Sequence, residues 1–342
     1  MELFLDSGYI DMKSLMELPF TFIFIVGARG TGKTYGALKY AYQHHKKFIY
    51  MRRTQSQTDL INKPDFSPFK AINRDIGSTV VSKPVNKYTA AFYEGEEHEG
   101  SLRASGEPLG YTAALSTISN LRGFDASDVE LIIYDEFIPE YHERPIKAEG
   151  EALLNAYETI NRNRELTGEP PVKLVMMANS NRLDNPIFIH LGLVNEAEKL
   201  QKSNKDIFKD PARSLCIISV HDSPISQKKN DTDLYKLRTG TGFSEMALQN
   251  RFTLEDEKLI RYMPLKEYRP HTTVGELRIL KHKSRAEYYC ILARVPDPDY
   301  SSDPSDLKRF KAEQWRLFKA YMDRRIFFND QMSRAVFLDY FA

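Results

Sequence analysis

Two cysteines in 342 residues are too few for a disulfide framework, and no zinc spacing surrounds them. Cys216 and Cys290 each lie in an apolar, strand-like run, so buried free thiols are expected. An excess of one charge is missing too: 48 Lys and Arg face 47 Asp and Glu, a formal net charge of +1. That balance excludes a global basic field that would draw the chain onto DNA or an anionic membrane, so any nucleic-acid contact must be local. Long apolar runs are lacking. The longest, Phe20 to Val26, is far too short to cross a bilayer, and the N-terminus carries Glu2 and Asp6 instead of a basic leader. A cytosolic chain without membrane partners is the expectation. No internal repeat or low-complexity tract is present. What remains is 42% apolar, 12% aromatic and 28% charged residues, a composition that buries a core, at a length beyond the usual single-core size.

The strongest positive signal is Gly27-Ala28-Arg29-Gly30-Thr31-Gly32-Lys33-Thr34, which fills every fixed position of G-x-x-x-x-G-K-[ST]. Phe20 to Val26 before it reads as one buried parallel strand, and Lys33 to Lys46 after it carries Ala37, Leu38, Ala41 and Tyr42 at helical spacing. In such a loop the glycines let backbone N–H groups face a phosphate at a positive helix N-terminus. Lys33 supplies a mobile cation for the β- and γ-phosphates of ATP, and the Thr34 hydroxyl is a ligand for Mg²⁺.

Phe48 to Met51 reads as a second strand ending in Arg52 and Arg53. Ligands of parallel α/β sheets sit beyond the carboxyl ends of the strands, so Arg52, and more weakly Arg53, are candidates for binding the nucleotide or a neighbouring subunit. Residues 54–86 are polar and proline-containing and read as rim elements. Tyr88 to Tyr93 and Tyr111 to Leu115 read as strands flanking an acidic excursion, with Glu94 to Glu99 a solvated loop tip.

The second strong signal is Val129-Glu130-Leu131-Ile132-Ile133-Tyr134-Asp135-Glu136, an apolar strand ending in two carboxylates about a hundred residues after the glycine loop. Asp135 would hold Mg²⁺ through its water shell, and Glu136 would orient or deprotonate an attacking water. Gly150 to Arg164 has helical periodicity, and Val172 to Ala178 reads as another strand whose end, Asn179, is a candidate contact for the γ-phosphate or the water.

The charged stretch from Glu196 to Lys209 interrupts this alternation, which places an ATPase domain at 1–204, a helical connector at 205–250 and a C-terminal domain at 251–342. Ser214 to Val220 can still pair with the sheet of the first domain. Strands are expected at Thr273 to Leu280 and Ala286 to Val295, an acidic Pro/Ser loop from Pro296 to Asp306, and then a long helix from Leu307 to Arg325 with a second helix after it.

Taken together, Phe24 to Thr34, Ile49 to Arg53, Tyr134 to Ile138 and Asn161-Arg162-Asn163-Arg164-Glu165 resemble the DNA-packaging ATPases of small short-tailed phages with protein-primed linear genomes, of Picovirinae type. The resemblance is most specific over residues 20–180. It implies a P-loop ATPase core of the additional-catalytic-glutamate class with a mainly parallel sheet, the helical connector, and a C-terminal RNase H-like α+β domain, a vestigial nuclease without activity. It also implies a homo-oligomeric ring, a pentamer, that works in the host cytoplasm. The ring would dock transiently on the portal of an empty capsid and drive double-stranded DNA inward, with a structural RNA as a further possible partner. In that family an arginine from the segment matching Asn161 to Glu165 reaches the neighbouring subunit's ATP. By position that residue is Arg162, with Arg164 the alternate, and a basic residue before the acidic strand, here Arg122, also acts at the subunit boundary. Two other classes compete with this reading, a soluble P-loop NTPase or kinase acting on a small molecule and a scaffold that binds nucleotide structurally.

Overall fold

A computed structural model describes residues 2–121, 126–139, 143, 146–179, 182–203, 205–220, 223–225 and 257–341. The chain divides into one unit of residues 1–181 and 200–252 and a second of 182–199 and 253–342. In chain order the strands of the first unit are β1 (Phe22–Gly27), β2 (Phe48–Arg52), β3 (Val81–Pro84), β4 (Ala90–His98), β5 (Ser101–Ala114), β6 (Leu131–Asp135), β7 (Lys173–Ala178), β8 (Ile207–Asp210) and β9 (Leu215–Val220). Helices α1 (Met12–Met16), α2 (Lys33–Gln43), α3 (Gln55–Ile61), α4 (Lys70–Ile76) and α5 (Glu149–Asn161) accompany them, followed by α6 (Pro186–His190) and α7 (Val194–Lys202).

The apolar runs become the middle of a nine-stranded sheet ordered β3-β4-β5-β2-β6-β7-β1-β9-β8. β1 pairs in parallel with β7 and β9, and β6 in parallel with β2 and β7. Ile23, Phe24 and Ile25 have no exposed surface, as expected of a strand covered on both faces. α2 packs Ala37, Leu38 and Ala41 onto that sheet. Because β7 stands between β1 and β6, the glycine loop and the Asp135-Glu136 pair emerge at the same carboxyl edge of the sheet, one strand apart. This is the α/β P-loop ATPase fold.

Several expectations are corrected. The acidic excursion is not a loop: Glu94 to His98 belongs to β4 and pairs antiparallel with Ser101 to Ser105 in β5, leaving only residues 99–100 as the turn. Solvated polar side chains on both arms hide the strand pattern, while the backbone hydrogen bonds that define the hairpin do not depend on them. The boundary drawn at 204 also differs from the observed division. β8 and β9 pair with the first unit's sheet, and residues 182–199 group with the second unit, where Ile189 packs on its core and Asn195 Oδ1 accepts from Met332 N at 3.1 Å. The predicted connector residues 227–250 lie outside the described residues, as does Arg122.

The second unit carries β10 (Tyr268–Val274), β11 (Leu277–His282), β12 (Tyr288–Leu292) and β13 (Ile326–Phe328), with α8 (Pro304–Glu313), α9 (Trp315–Met322) and α10 (Gln331–Phe341). Its sheet runs β10-β11-β12-β13, antiparallel except for the last pair. The single strand expected at 273–280 is two, because Gly275, at φ 52°, opens a two-residue hairpin turn that a side chain would strain. The helix expected from 307 to 325 breaks at Gln314, whose φ of −107° ends α8 and begins α9. The break lets Phe310, Leu317 and Ala320 all reach one core.

Candidate nucleotide site

At the end of β1 two glycines are required for separate reasons. A Cβ on Gly27 would lie 2.5 Å from Val220 Cβ of β9, whereas Gly32 takes φ 90°, a conformation side chains rarely adopt. Lys33 then opens α2. Its buried Nζ donates to Gly27 O at 3.0 Å, Ala28 O at 2.7 Å and Thr31 Oγ1 at 3.3 Å. The N-cap of α2 is Gly32, with no side-chain cap bond, so the first-turn N–H groups are left for an anion at the positive end of the helix. A cavity of about 760 Å³ borders this loop, lined by Tyr9, Gly30, Gly32, Tyr35 and Lys39. The N-terminal segment is fixed against the loop by Ile10 N donating to Thr31 O at 2.9 Å. Residues 1–19 carry no motif that announces this wall.

Opposite the loop, three donors converge on Asp135 Oδ2: Thr34 Oγ1 at 2.9 Å, the Tyr50 hydroxyl at 2.9 Å and Arg52 Nη1 at 3.1 Å. Arg52 Nη2 also pairs with Glu136 Oε2. Arg52, the nucleotide-binding candidate at the end of β2, thus places both of its Nη atoms on the two carboxylates, and its buried Nε has no hydrogen-bond partner among the described residues. Without this guanidinium, the buried Asp135 and the partly exposed Glu136 would repel each other, and the planar fork reaches both at once. Burial opposes the charge on Arg52, but Tyr50, Asp135 and Glu136 outweigh it and raise its pKa. Burial likewise lifts the Glu136 pKa above the ordinary glutamate value, against the pull of Arg52 and with the help of Asp135. Burial and Asp135 push the Tyr50 phenol well up, so it stays a neutral donor. Glu136 has φ 54°, a strained backbone for a side-chain-bearing residue and the kind found where function dictates geometry.

Tyr50 escaped sequence reading because it sits inside an apolar strand. Its spacing of two from Arg52 puts both on one face of β2, which is the signal that could have found it. Asn179 follows the last residue of β7, between the strands that carry the loop and the carboxylates. Arg162 lies apart, as the residue after α5, about 20 Å along that helix from Glu149. Arg162 and Asn163 take φ 48° and 58°, a left-handed helix ending that Asn tolerates and Arg rarely adopts. Arg164 is committed: its Nη2 donates to Ala126 O at 3.1 Å and Ser127 O at 2.6 Å.

The donor set suits Mg²⁺. Thr34 and Asp135 offer hard oxygens within one hydrogen bond of each other, and among the described residues no cluster of three or more His, Cys, Asp or Glu forms a cage of its own. A magnesium that travels with nucleotide needs only one or two protein oxygens.

A phosphate-type loop between strand and helix, with a lysine folded into it and an acidic strand end across one intervening strand, defines a P-loop NTPase domain. Residues 6–264 match the family described as Podovirus DNA encapsidation protein (Gp16), and the chain belongs to that family. It is 28% identical over 248 residues to a DNA packaging protein of Bacillus phage B103, covering 69% of this chain and 66% of that protein. It is 27% identical over 248 residues to the DNA packaging protein of Bacillus phage phi29, covering 69% and 64%. The matched part thus spans just under two thirds of these relatives. The fold is similar to "The Phi-28 gp11 DNA packaging Motor", with TM-score 0.68, 19% identity and 97% of both chains covered. It is also similar to "The bacteriophage Phi-29 viral genome packaging motor assembly", with TM-score 0.64, 21% identity and 99% of both chains covered.

Proposed function

We propose that this chain is an ATP-hydrolysing motor that assembles as a homopentameric ring on a capsid portal and translocates double-stranded DNA into the procapsid, in the host cytoplasm. The observation that carries the reading is Glu136, held by Arg52 at the edge of the phosphate loop, where a carboxylate can take a proton from water attacking a γ-phosphate. Lys33 and the α2 N-terminus would hold the phosphates, with Gly27 to Gly32 shaping the cradle, and the aromatic-walled cavity suits the base. Thr34 and Asp135 would hold Mg²⁺, which supplies charge neutralisation on the phosphates. Asn179 would orient the water. Arg162, exposed at the C-terminal end of α5, would serve the neighbouring protomer. A structural RNA between motor and portal is part of the same reading.

The test is ATP hydrolysis with and without empty capsids and DNA. Turnover that rises only when both are present supports the motor. Turnover indifferent to both favours a small-molecule NTPase, and no turnover at all favours a nucleotide-binding scaffold.

Arg52 also gives the reading a pH signature. Glu136 must be ionised to accept a proton, so kcat should fall as pH drops through its raised pKa. Arg52 is the group that lowers that pKa, so Arg52→Gln is expected to move the acid limb of the kcat profile to higher pH. A limb that stays in place or moves down would separate Glu136 from the proton transfer.

The second unit is proposed not to cut DNA. Two-metal nucleases converge several carboxylates on ions about 3.5–4 Å apart. Here Glu276 stands in the β10–β11 turn, Asp299 accepts from Thr272 Oγ1 and Thr273 N, and Asp306 accepts from Ser301 N. The full chain with Mn²⁺ and plasmid should leave the plasmid intact. Nicking that disappears in Glu276→Ala or Glu287→Ala would reverse the assignment.

A further inference from the structure

Arg53 follows Arg52 at the end of β2 and has no exposed surface. Consecutive residues of an extended chain point to opposite sides, and the partners follow. Arg52 takes the carboxylates of Asp135 and Glu136, whereas Arg53 Nε donates to Glu149 Oε1 at 2.7 Å and Arg53 Nη2 to Glu149 Oε2 at 3.0 Å. Its Nη1 donates to Glu143 Oε2 at 3.0 Å, and Glu143 Oε1 in turn accepts from Gln57 at 3.0 Å. Glu149, itself fully buried at the side chain, is the first residue of α5. At that end the N-cap is Ala148, at φ 50°, with no side-chain cap bond, and Glu149 also accepts from the Tyr134 hydroxyl at 3.5 Å and from Ile146 N at 3.4 Å. At the opposite end of the same 13-residue helix stands Arg162.

We propose that Arg53 is a positioning residue, which through its two-pronged bond to Glu149 fixes α5 and so sets where Arg162 is offered to the neighbouring protomer. The inference rests on the trans role of Arg162 argued above. Its physical content is that one strand end carries two arginines with separate duties, Arg52 on the protomer's own Glu136 and Arg53 on the helix that serves the next site. A straight helix passes a shift of its first turn to its last, and a misplacement of about 1 Å at a reacting centre costs on the order of 10²-fold in rate.

Removing either partner outright would strand a buried charge and risk misfolding. The informative variants keep charge and change geometry: Arg53→Lys, which loses the fork, and Glu149→Asp, which retracts the carboxylate by one methylene. The experiment mixes two inactive full-length proteins on capsids with DNA, Arg162→Ala supplying intact phosphate sites and Glu136→Gln supplying intact fingers. Arg53→Lys is then added to one parent at a time. Added to the finger donor, it should cut the restored hydrolysis at least tenfold, within the 10²-fold range expected of misplacement. Added to the protein with the intact phosphate site, it should leave the restored rate within about twofold, since that protomer's own finger is already absent. Glu149→Asp should repeat the asymmetry. Equal loss on both sides would mean general damage and overturn the proposal, as would no loss on either. Absence of any restored activity in the unmodified mixture would instead remove the trans role itself, a different result with a different cause.

Discussion

Glu136→Gln is expected to bind ATP as well as the parent and to hydrolyse it on the order of 10²–10⁴-fold more slowly, the usual contribution of a positioned general base. The amide matches the carboxylate in shape, so it leaves the strained backbone at residue 136 and the packing of β6 in place. It accepts hydrogen bonds but does not take up a proton in the working pH range, which isolates the chemical step. Arg52 keeps one anionic partner, Asp135, so the loop side of the site stays organised. Lys33→Ala should fail differently. It removes the cation that lies against the carbonyls of Gly27 and Ala28, and nucleotide affinity should fall together with turnover. Equilibrium binding of a fluorescent nucleotide, read beside phosphate release, separates the two variants. Near-normal turnover by Glu136→Gln would remove this residue from the proton transfer and leave Asp135 or solvent to be tested in its place.

The two strongest features of the site were legible in the sequence because both are local. The phosphate loop is eight consecutive residues, and the carboxylate pair marks a strand end, so neither needs knowledge of what lies beside it. What joins them was not legible. The Arg52–Asp135 bond spans 83 residues, and it exists because β2 is next to β6 in the sheet, a neighbourhood fixed by the order of strands that no local pattern encodes. Tyr50 was hidden for the same reason: alone it is one more apolar ring in a buried strand. Secondary structure failed where the deciding residue was single. Gly275 turns one expected strand into a hairpin, and Gln314 divides one expected helix, although the apolar stripe runs unbroken through it. The β4–β5 arms failed through composition, since solvated acidic residues read as loop when only the backbone ladder makes them strand.

Arg162→Ala is expected to lower ATP hydrolysis by about 10³–10⁵-fold, the contribution typical of an inserted arginine at a phosphoryl-transfer site, with nucleotide affinity preserved. The residue has the right construction for a group that works outside its own protomer. It follows the last turn of α5, and the next residues do not relax into an ordinary loop: Asn161 Oδ1 accepts from Val172 N at 2.9 Å, and Asn161 Nδ2 donates to Glu165 Oε2 at 3.1 Å. Those bonds and the anchoring of Arg164 on residues 126 and 127 hold the segment on both sides of Arg162 and keep its backbone at φ 48°. A left-handed residue is a common helix ending but is usually Gly or Asn, so an arginine held there carries a strain of about 1–3 kcal/mol. The distinction from a local role lies in complementation. Arg162→Ala and Glu136→Gln proteins are each inactive alone, yet where the first supplies the phosphate site and the second the arginine, one interface contains every required group. Mixed rings on capsids with DNA should therefore recover hydrolysis, with a maximum at intermediate ratios. Arg164→Ala should behave otherwise, losing stability through the freed carbonyls of Ala126 and Ser127 without complementing Glu136→Gln in this way. If no ratio of the first pair restores hydrolysis although mixed rings form, Arg162 acts within its own protomer and the strained turn serves that site instead.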